Sequence, residues 1–347
     1  MNKERSNILV IGTLASGSSA LVDMLKEYDN INVLPREFDN FRRPGFVSDQ
    51  LSYNSSIDYP NVIDENIKFV NFKWELLYKS TIWKLFFRKP LSNIWGKNWR
   101  ILEKYKIKLI NLRQIFLLKG LSKNLKSNIS FEKKIELSNE WINNIGAFYP
   151  DKYEFTLFNQ ALLPWCNIDI WTKVFNPFKL ICVYRDPRDQ IAEMIRRDIV
   201  FSPFKSAQLS YGQFNIISIY GNDRKARLKF VSDALKNRLE IIDQWMKVLP
   251  IDQFLLVDFE GLVSHYDVYR SEIEKFLGIS DENHKCKKQY FNPEVALKNS
   301  IGIFKNYLTN EELENLIELE SWYNKKVQRR ISEQKDKMQN LKTGTIK

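Results

Sequence analysis

Three times along this chain an apolar run ends in a tight turn and gives way to a helical pattern, and that repetition restricts the fold more than any other feature. ILVIG (8–12) leads into GTLASGSSALVDML, KLICVY (179–184) into RDPRD and QIAEMIRR, and FLLVDFEGL (254–262) into YRSEIEKFLGI. A further apolar run, Ile31 to Leu34, follows the first helix, whose stripe of Leu21, Met24 and Leu25 marks one buried face between about Ser18 and Tyr28. Strands alternating with helices predict an α/β fold around a central, mostly parallel sheet. Ligands of such sheets sit at the carboxyl ends of the strands, where the turns of interest fall.

Residues from about 50 to 150 interrupt the alternation with a helical, basic segment that interleaves Trp74, Trp83, Trp95 and Trp99 with lysine and arginine. It reads as an insertion in one domain spanning 1–347, and a polar tail follows at about 330–347. No internal repeat or low-complexity tract is present. A chain of 347 residues, 44% hydrophobic, can bury a full core, and its net charge of +11 points to an anionic partner. Cys166, Cys182 and Cys286 lack metal-like spacing and read as reduced thiols; His265 and His284 read as surface residues, so no metal is expected. MNKERSNILVIG has too short an apolar run for a signal peptide, and a cytoplasmic location is expected, with peripheral contact to an anionic membrane as an option.

The first turn, Gly12-x4-Gly17-Ser18-Ser19, has the spacing of a triphosphate-binding loop, but Ser18 stands where such a loop needs lysine. Two readings fit this stretch alone. Its backbone N–H groups, from about Gly17 to Ala20, can face an anion at a helix N-terminus; or the turn only caps the helix, with Ser18 as N-cap. The second turn favours the anion. Arg185 directly follows a buried strand and Pro187 sets the turn into the helix, so the guanidinium can grip a phosphate, unless it pairs with Asp186 or Asp189 at the surface.

Taken together, these segments resemble the sulfotransferases that use 3′-phosphoadenosine 5′-phosphosulfate (PAPS), whose pattern is a strand, a G-x-x-[RK]-[SG]-G-[ST]-[ST] loop and helix, then a strand ending in R-[DN]-P. FLLVDFEGLVSHYDVYRSEIEKFLGI and KNSIGIFKNYLTNEEL are similar to later family segments, the latter to R-K-G-x-x-G-x-W-K. The resemblance covers residues 7 to 42 and about 155 to 315, and implies a P-loop-like three-layer fold. It implies that Ser16, Gly17, Ser18 and Ser19, with Ala15 and Ala20 in the same loop, hold the 5′-phosphosulfate. Arg185 then holds the 3′-phosphate, supported by Lys298 and Asn299. The glutamate of the family's E-x-E-x-H-F-F segment falls on Glu37, the implied general base, with Asp39 at the histidine position and Phe41 keeping an aromatic.

Three positions depart from the family. Ala15 replaces a lysine or arginine that stabilises the leaving oxygen, and Arg36, Arg42, Arg43, Arg188 and Lys305 are candidate substitutes. Glu193 stands where a serine meets the 3′-phosphate and would repel it unless Arg196 or Arg197 neutralises it; Leu297 replaces an arginine. The leading expectation is sulfuryl transfer from PAPS to a hydroxyl of a carbohydrate or glycolipid. The alternatives are a silent glycan- or membrane-binding relative and a P-loop-related nucleotide or phosphate-group transferase. Nucleic acid has no supporting motif.

Overall fold

The computed structural model describes residues 5–13, 15–42, 47–52, 117, 120–121, 124–125, 129–146, 153–163, 166–197 and 223–334. Most of the inserted segment, including Trp74, Trp83, Trp95 and Trp99, and the tail from residue 335 onward lie outside them. In chain order the elements are β1 (Ser6–Gly12), α1 (Ser18–Leu25), β2 (Ile31–Glu37), α2 (Asp39–Arg42), α3 (Val47–Ser52) and α4 (Phe131–Gly146). There follow β3 (Phe155–Asn159), α5 (Ile168–Val174), β4 (Phe178–Tyr184), α6 (Pro187–Arg196), α7 (Arg224–Val248) and β5 (Phe254–Asp258). Last come α8 (Phe259–Ser264), α9 (Tyr266–Leu277), α10 (Pro293–Ser300), α11 (Phe304–Tyr307), α12 (Asn310–Asn315) and α13 (Ile317–Tyr323).

The chain divides into two compact units: Met1–Glu37, Lys152–Trp165 and Pro177–Lys347 form the first, Phe38–Asp151 and Cys166–Asn176 the second. In the first, five strands pair in the order β2-β3-β1-β4-β5, with every pairing parallel. The expected parallel α/β sheet is what the chain forms. Its strands read as near-continuous apolar runs because both faces are covered. On one face Ile8, Val10, Ile181, Val183, Leu255 and Val257 pack against Leu21, Met24 and Leu25 of α1 and Leu262, Ile273 and Phe276 of α8 and α9. On the other, Ile11 shares a small void with Ile242 and Trp245 of α7, while Tyr184 and Leu256 face Leu239 and Trp322. Each of these side chains contributes about 2 kcal/mol by leaving water.

Strand order reverses its direction of growth about β1, which places the binding crevice of such a sheet at the carboxyl end of that strand. Two boundaries differ from the sequence reading. α1 stops at Leu25 rather than Tyr28, because Glu27 and Tyr28 turn away to meet the segment 284–291. The tail does not begin at Arg330: that residue donates to Asp243 at 2.8 Å, Ile331 is buried, and Gln334 accepts the Leu256 amide of edge strand β5 at 2.8 Å. A polar composition hid a segment that closes a sheet edge.

In the second unit α4 runs along α5, and Asn139 donates through its amide to the carbonyls of Val174, the last residue of α5, and of Asn176 just beyond it. Phe41 meets Phe175 edge-on at 5.0 Å, and Phe38 lies 5.7 Å from Trp141.

Candidate functional site

The carboxyl ends of β1, β2 and β4 carry residues singled out by sequence, and those of β3 and β5 lead into Gln160 and Glu260, which bond Ser18 and the Asp186 amide. Between β1 and α1 the loop is held by two left-handed residues, Ala15 at φ 56° and Gly17 at φ 89°. The Ser16 amide donates to the Thr13 carbonyl at 2.9 Å, closing the turn. Gly17, not Ser18, is the N-cap, and no side chain caps the helix. Ser18 instead lies inside the first turn, where its hydroxyl accepts from Gln160 at 2.6 Å, so the capping reading of this serine is corrected. The amides of Ser18 and Ser19 start the helix and have no intrahelical acceptor to point at. Ser16 is buried, and its hydroxyl has no partner among the described residues. Ser19 is exposed, and Ala20 packs partly into the core.

Gly17 is required twice over. Its φ is left-handed, and a Cβ there would fall 2.2 Å from the Phe259 ring. That ring in turn carries Arg185, whose guanidinium carbon lies 5.2 Å from the ring centre.

Arg185 leaves β4 buried rather than at the surface, so the surface pairing with Asp186 or Asp189 does not form. One terminal nitrogen donates to the Ala15 carbonyl at 3.0 Å and the other to the Ser300 carbonyl, tying the first loop to the late segment. Its Nε has no partner among the described residues. Burial lowers the Arg185 pKa from its usual value, opposed by the charges of Asp189, Glu260 and Glu193. The two aspartates have other work. Asp186 caps α6 and pairs with Arg188 at 2.6 Å. Asp189 accepts the amides of Gly302 at 2.7 Å and Phe304 at 3.0 Å, fixing the loop after α10. Burial pushes the Asp189 carboxyl up, and those two amides oppose it.

Sequence reasoning missed this scaffold. Thr13 donates to Gln190 at 2.9 Å, and Gln190 donates to the Arg185 carbonyl at 2.6 Å, so a buried glutamine joins the two turns. Gln190 followed the charged RDPRD and was read only as a helix start; Asp189 was read only as a partner for Arg185. Both are buried on α6, one and two residues after Arg188, where their polar types gave no sign of it.

Glu37 ends β2, opposite Asn159 of β3, and its side chain is exposed; it stands on a strand end, not in a polar loop. The side chains of Arg36 and Asp39, and all of Arg43, lie outside the description. Lys298 and Asn299 are exposed on α10, and that segment meets Arg185 through the Ser300 carbonyl instead. Among the candidate cations, Arg188 is spent on Asp186 and on Glu320 at 2.8 Å, and Arg42 is buried in the second unit. Lys305 is exposed beside the loop that Asp189 holds. Ala15 packs against the apolar cluster of Ile191, Met194, Leu228 and Phe304, so its position serves packing where the family has charge.

Glu193 is buried and bound by Arg196 at 2.7 Å and by Arg197 at 2.5 Å, both through Oε1. Burial pushes its carboxyl up, but the two arginines bring it below the usual carboxylate range. Glu260, after β5, accepts the Asp186 amide at 3.0 Å and is pushed up to about 8 by burial and by Asp258.

One histidine was misread. His265 is exposed as expected, but His284 is buried, stacked on Tyr28 at 4.5 Å and bonded to Glu27 at 2.7 Å. Its polar neighbours in sequence face solvent while the ring turns inward. Ligand atoms of Glu274, Asp281 and His284 lie within 4.8 Å of one another, yet Arg270 bonds both acids and Lys287 holds Asp281 at 3.0 Å. Cationic side chains already occupy the place a metal would take. No described helix is long and apolar enough to cross a membrane.

No protein-family model matches this chain, and no curated protein matches it. Among solved structures it is similar to the sulfotransferase domain of the Synechococcus PCC 7002 olefin synthase, at 13% identity and TM-score 0.42, over 88% of this chain and 83% of that one. It is also similar to sulfotransferase STF9 from Mycobacterium avium, at 9% identity and TM-score 0.43, over 94% of this chain and 77% of that one.

Proposed function

We propose that this protein is a PAPS-dependent sulfotransferase acting on a hydroxyl of a carbohydrate or glycolipid, with Glu37 as general base. The observation that carries the reading is Arg185: buried at the end of β4, it bonds the backbone of both the small-residue loop and the late segment. Three motifs distant in sequence thus meet at one helix N-terminus, on the strand where the sheet reverses its order.

The donor set suits an anionic nucleotide. Ser16 Oγ and Arg185 Nε are buried donors without a partner among the described residues, and each would cost about 1–3 kcal/mol if left so. Gly17 keeps side-chain bulk out of the loop. PAPS supplies an activated sulfuryl group. The chain's own part is to hold phosphate oxygens on the first-turn amides and on Arg185, and to take the acceptor's proton at a Glu37 oxygen. Strands lie about 4.8 Å apart, so with β3 between them the end of β2 stands about 10 Å from the end of β1. A carboxylate base, in place of histidine, favours a sugar hydroxyl.

The test is thermal stability with PAP, the desulfated product, against ADP and ATP with Mg²⁺. At a hundredfold excess over Kd, PAP is expected to add about 2.7 kcal/mol, and Arg185→Ala to abolish the gain. Stabilisation by ATP with Mg²⁺ alone would overturn the reading in favour of nucleotide chemistry. Glu37→Gln is expected to cut turnover about 10²- to 10⁴-fold with PAP binding unchanged. Near-normal turnover would remove Glu37 from its role. Ala15 favours a second reading, because its position is apolar and packed: a silent relative that binds PAP and shows no sulfuryl transfer to any hydroxyl.

A further inference from the structure

Glu27 lies just past the end of α1, and its side chain is wholly buried. Both of its oxygens are engaged. Oε2 accepts from His284 Nε2 at 2.7 Å and from the Lys288 amide at 3.1 Å, and Oε1 accepts the amides of Tyr290 at 2.9 Å and Phe291 at 3.0 Å. Its carbonyl takes the amides of Lys285 at 3.1 Å and Cys286 at 3.2 Å. One residue thus fixes the backbone of 284–291 to the end of α1. Without that carboxylate, buried donors of the segment lose their acceptor.

What Glu27 fixes leads to the donor site. Phe291 is buried beside Tyr266, with ring centres 5.9 Å apart, and Asn292 caps α10 by accepting the amides of Glu294 and Val295. α10 ends at Ser300, whose carbonyl accepts from Arg185, and Asp189 holds the amides of Gly302 and Phe304 just beyond. α1 and α10 therefore join the same two places in opposite directions, and each has eight residues, a rise of about 12 Å. At one end Arg185 ties the Ala15 carbonyl, before α1, to the Ser300 carbonyl at the close of α10. At the other, Glu27 ties the end of α1 to the residues that open α10. Phe291, Ala296 and Ile301 pack on the same apolar cluster as Leu21 and Leu25, so the two helices form a closed frame. With the Glu27 tie undone, the late segment is free to shift against the loop, and a displacement of about 1 Å is enough to degrade a site.

We propose that Glu27 is a positioning residue for the donor site: acting through α10, it sets where the late segment stands against the loop of Ala15 to Ser19, and so sets affinity for the anionic nucleotide. The inference rests on the sulfotransferase reading. Glu27 touches neither the loop nor Arg185; its effect is carried by the frame.

The experiment joins calorimetric binding of PAP to amide hydrogen exchange without ligand, both well below the unfolding transition. In Glu27→Gln, exchange at Gly302 and Phe304 is expected to quicken about tenfold and PAP affinity to fall about tenfold, while the amides of β4 keep their protection. Gly278→Ala is the control for lost stability alone: it strains the backbone at φ 74° outside the frame, and both readouts should stay at wild-type values. Asn292→Ala carries the test if Glu27→Gln does not fold. It removes only an exposed cap of α10, and exchange at Gly302 and Phe304 should quicken about fivefold with PAP affinity falling in the same direction. A folded Glu27→Gln, or failing that Asn292→Ala, with wild-type PAP affinity overturns the positioning role and leaves the donor assignment intact, whatever exchange shows. A fall in affinity matched by Gly278→Ala also overturns it. Wild type that does not bind PAP overturns the donor assignment, and the role of Glu27 in it, while exchange still reports whether the frame holds.

Discussion

Gly17→Ala isolates the contact on which the loop geometry depends. The added Cβ would meet three atoms of the Phe259 ring, Cδ2 at 2.2 Å, Cε2 at 2.6 Å and Cγ at 2.7 Å, and Cγ cannot move without turning the whole side chain. Phe259 is itself buried, so the ring has little space to retreat into. Two costs follow. Holding an L-residue at φ 89° costs about 1–2 kcal/mol, and overpacking a closed site about 1–3 kcal/mol more. Gly278→Ala is the control, because Gly278 has φ 74° and open space around its missing Cβ, leaving only the first cost. Urea unfolding followed by tryptophan fluorescence should therefore place Gly17→Ala about 1–3 kcal/mol below Gly278→Ala. Since the same ring supports Arg185, the PAP-induced stabilisation should also fall in Gly17→Ala and persist in Gly278→Ala. Equal destabilisation by the two substitutions, within about 0.5 kcal/mol, would refute the packing of Phe259 against the loop.

Two further outcomes are expected. Glu27 is fully buried and accepts from His284 and from the amides of Lys288, Tyr290 and Phe291, so Glu27→Gln, which turns an NH₂ toward donors, should cost about 3 kcal/mol by urea midpoint; a cost under 0.5 kcal/mol would contradict that network. Glu260 holds its proton more tightly folded than unfolded, so its contribution is fully present below about pH 4.5 and is lost as pH rises through about 8; Glu260→Gln should flatten the fall in stability across that window, and an unchanged slope would refute the shift.

Most of the sheet was readable because it is buried on both faces. β1, β4 and β5 are runs of four or more apolar residues bounded by charged or glycine-rich turns, and burial from two sides leaves no alternation to confuse. β3, FTLFN, is as short as β5 but less apolar, broken by Thr156, and no small-residue turn follows it to mark where it ends. It nevertheless sits between β1 and β2 and delivers Gln160, at φ 52°, to the Ser18 hydroxyl. Periodicity also fails for residues whose role is to accept backbone amides. Asp189, Glu27 and Gln334 each look like solvated polar residues in sequence, and each instead satisfies main-chain donors more than seventy positions away.

The same limit explains why two of the three departures from the family pattern, Ala15 and Glu193, looked graver in sequence than in three dimensions. A motif assigns charge to positions, whereas a binding site responds to the summed field of whatever converges there. At position 15 the chain contributes a carbonyl to Arg185 and a methyl group to the cluster around Phe304, so the loop is anchored through its backbone and through apolar contact. At position 193 it contributes a carboxylate that organises two arginines. Each departure is thus answered by a local arrangement: an apolar seat for the methyl group at 15 and, at 193, a buried carboxylate whose charge is met by two arginines.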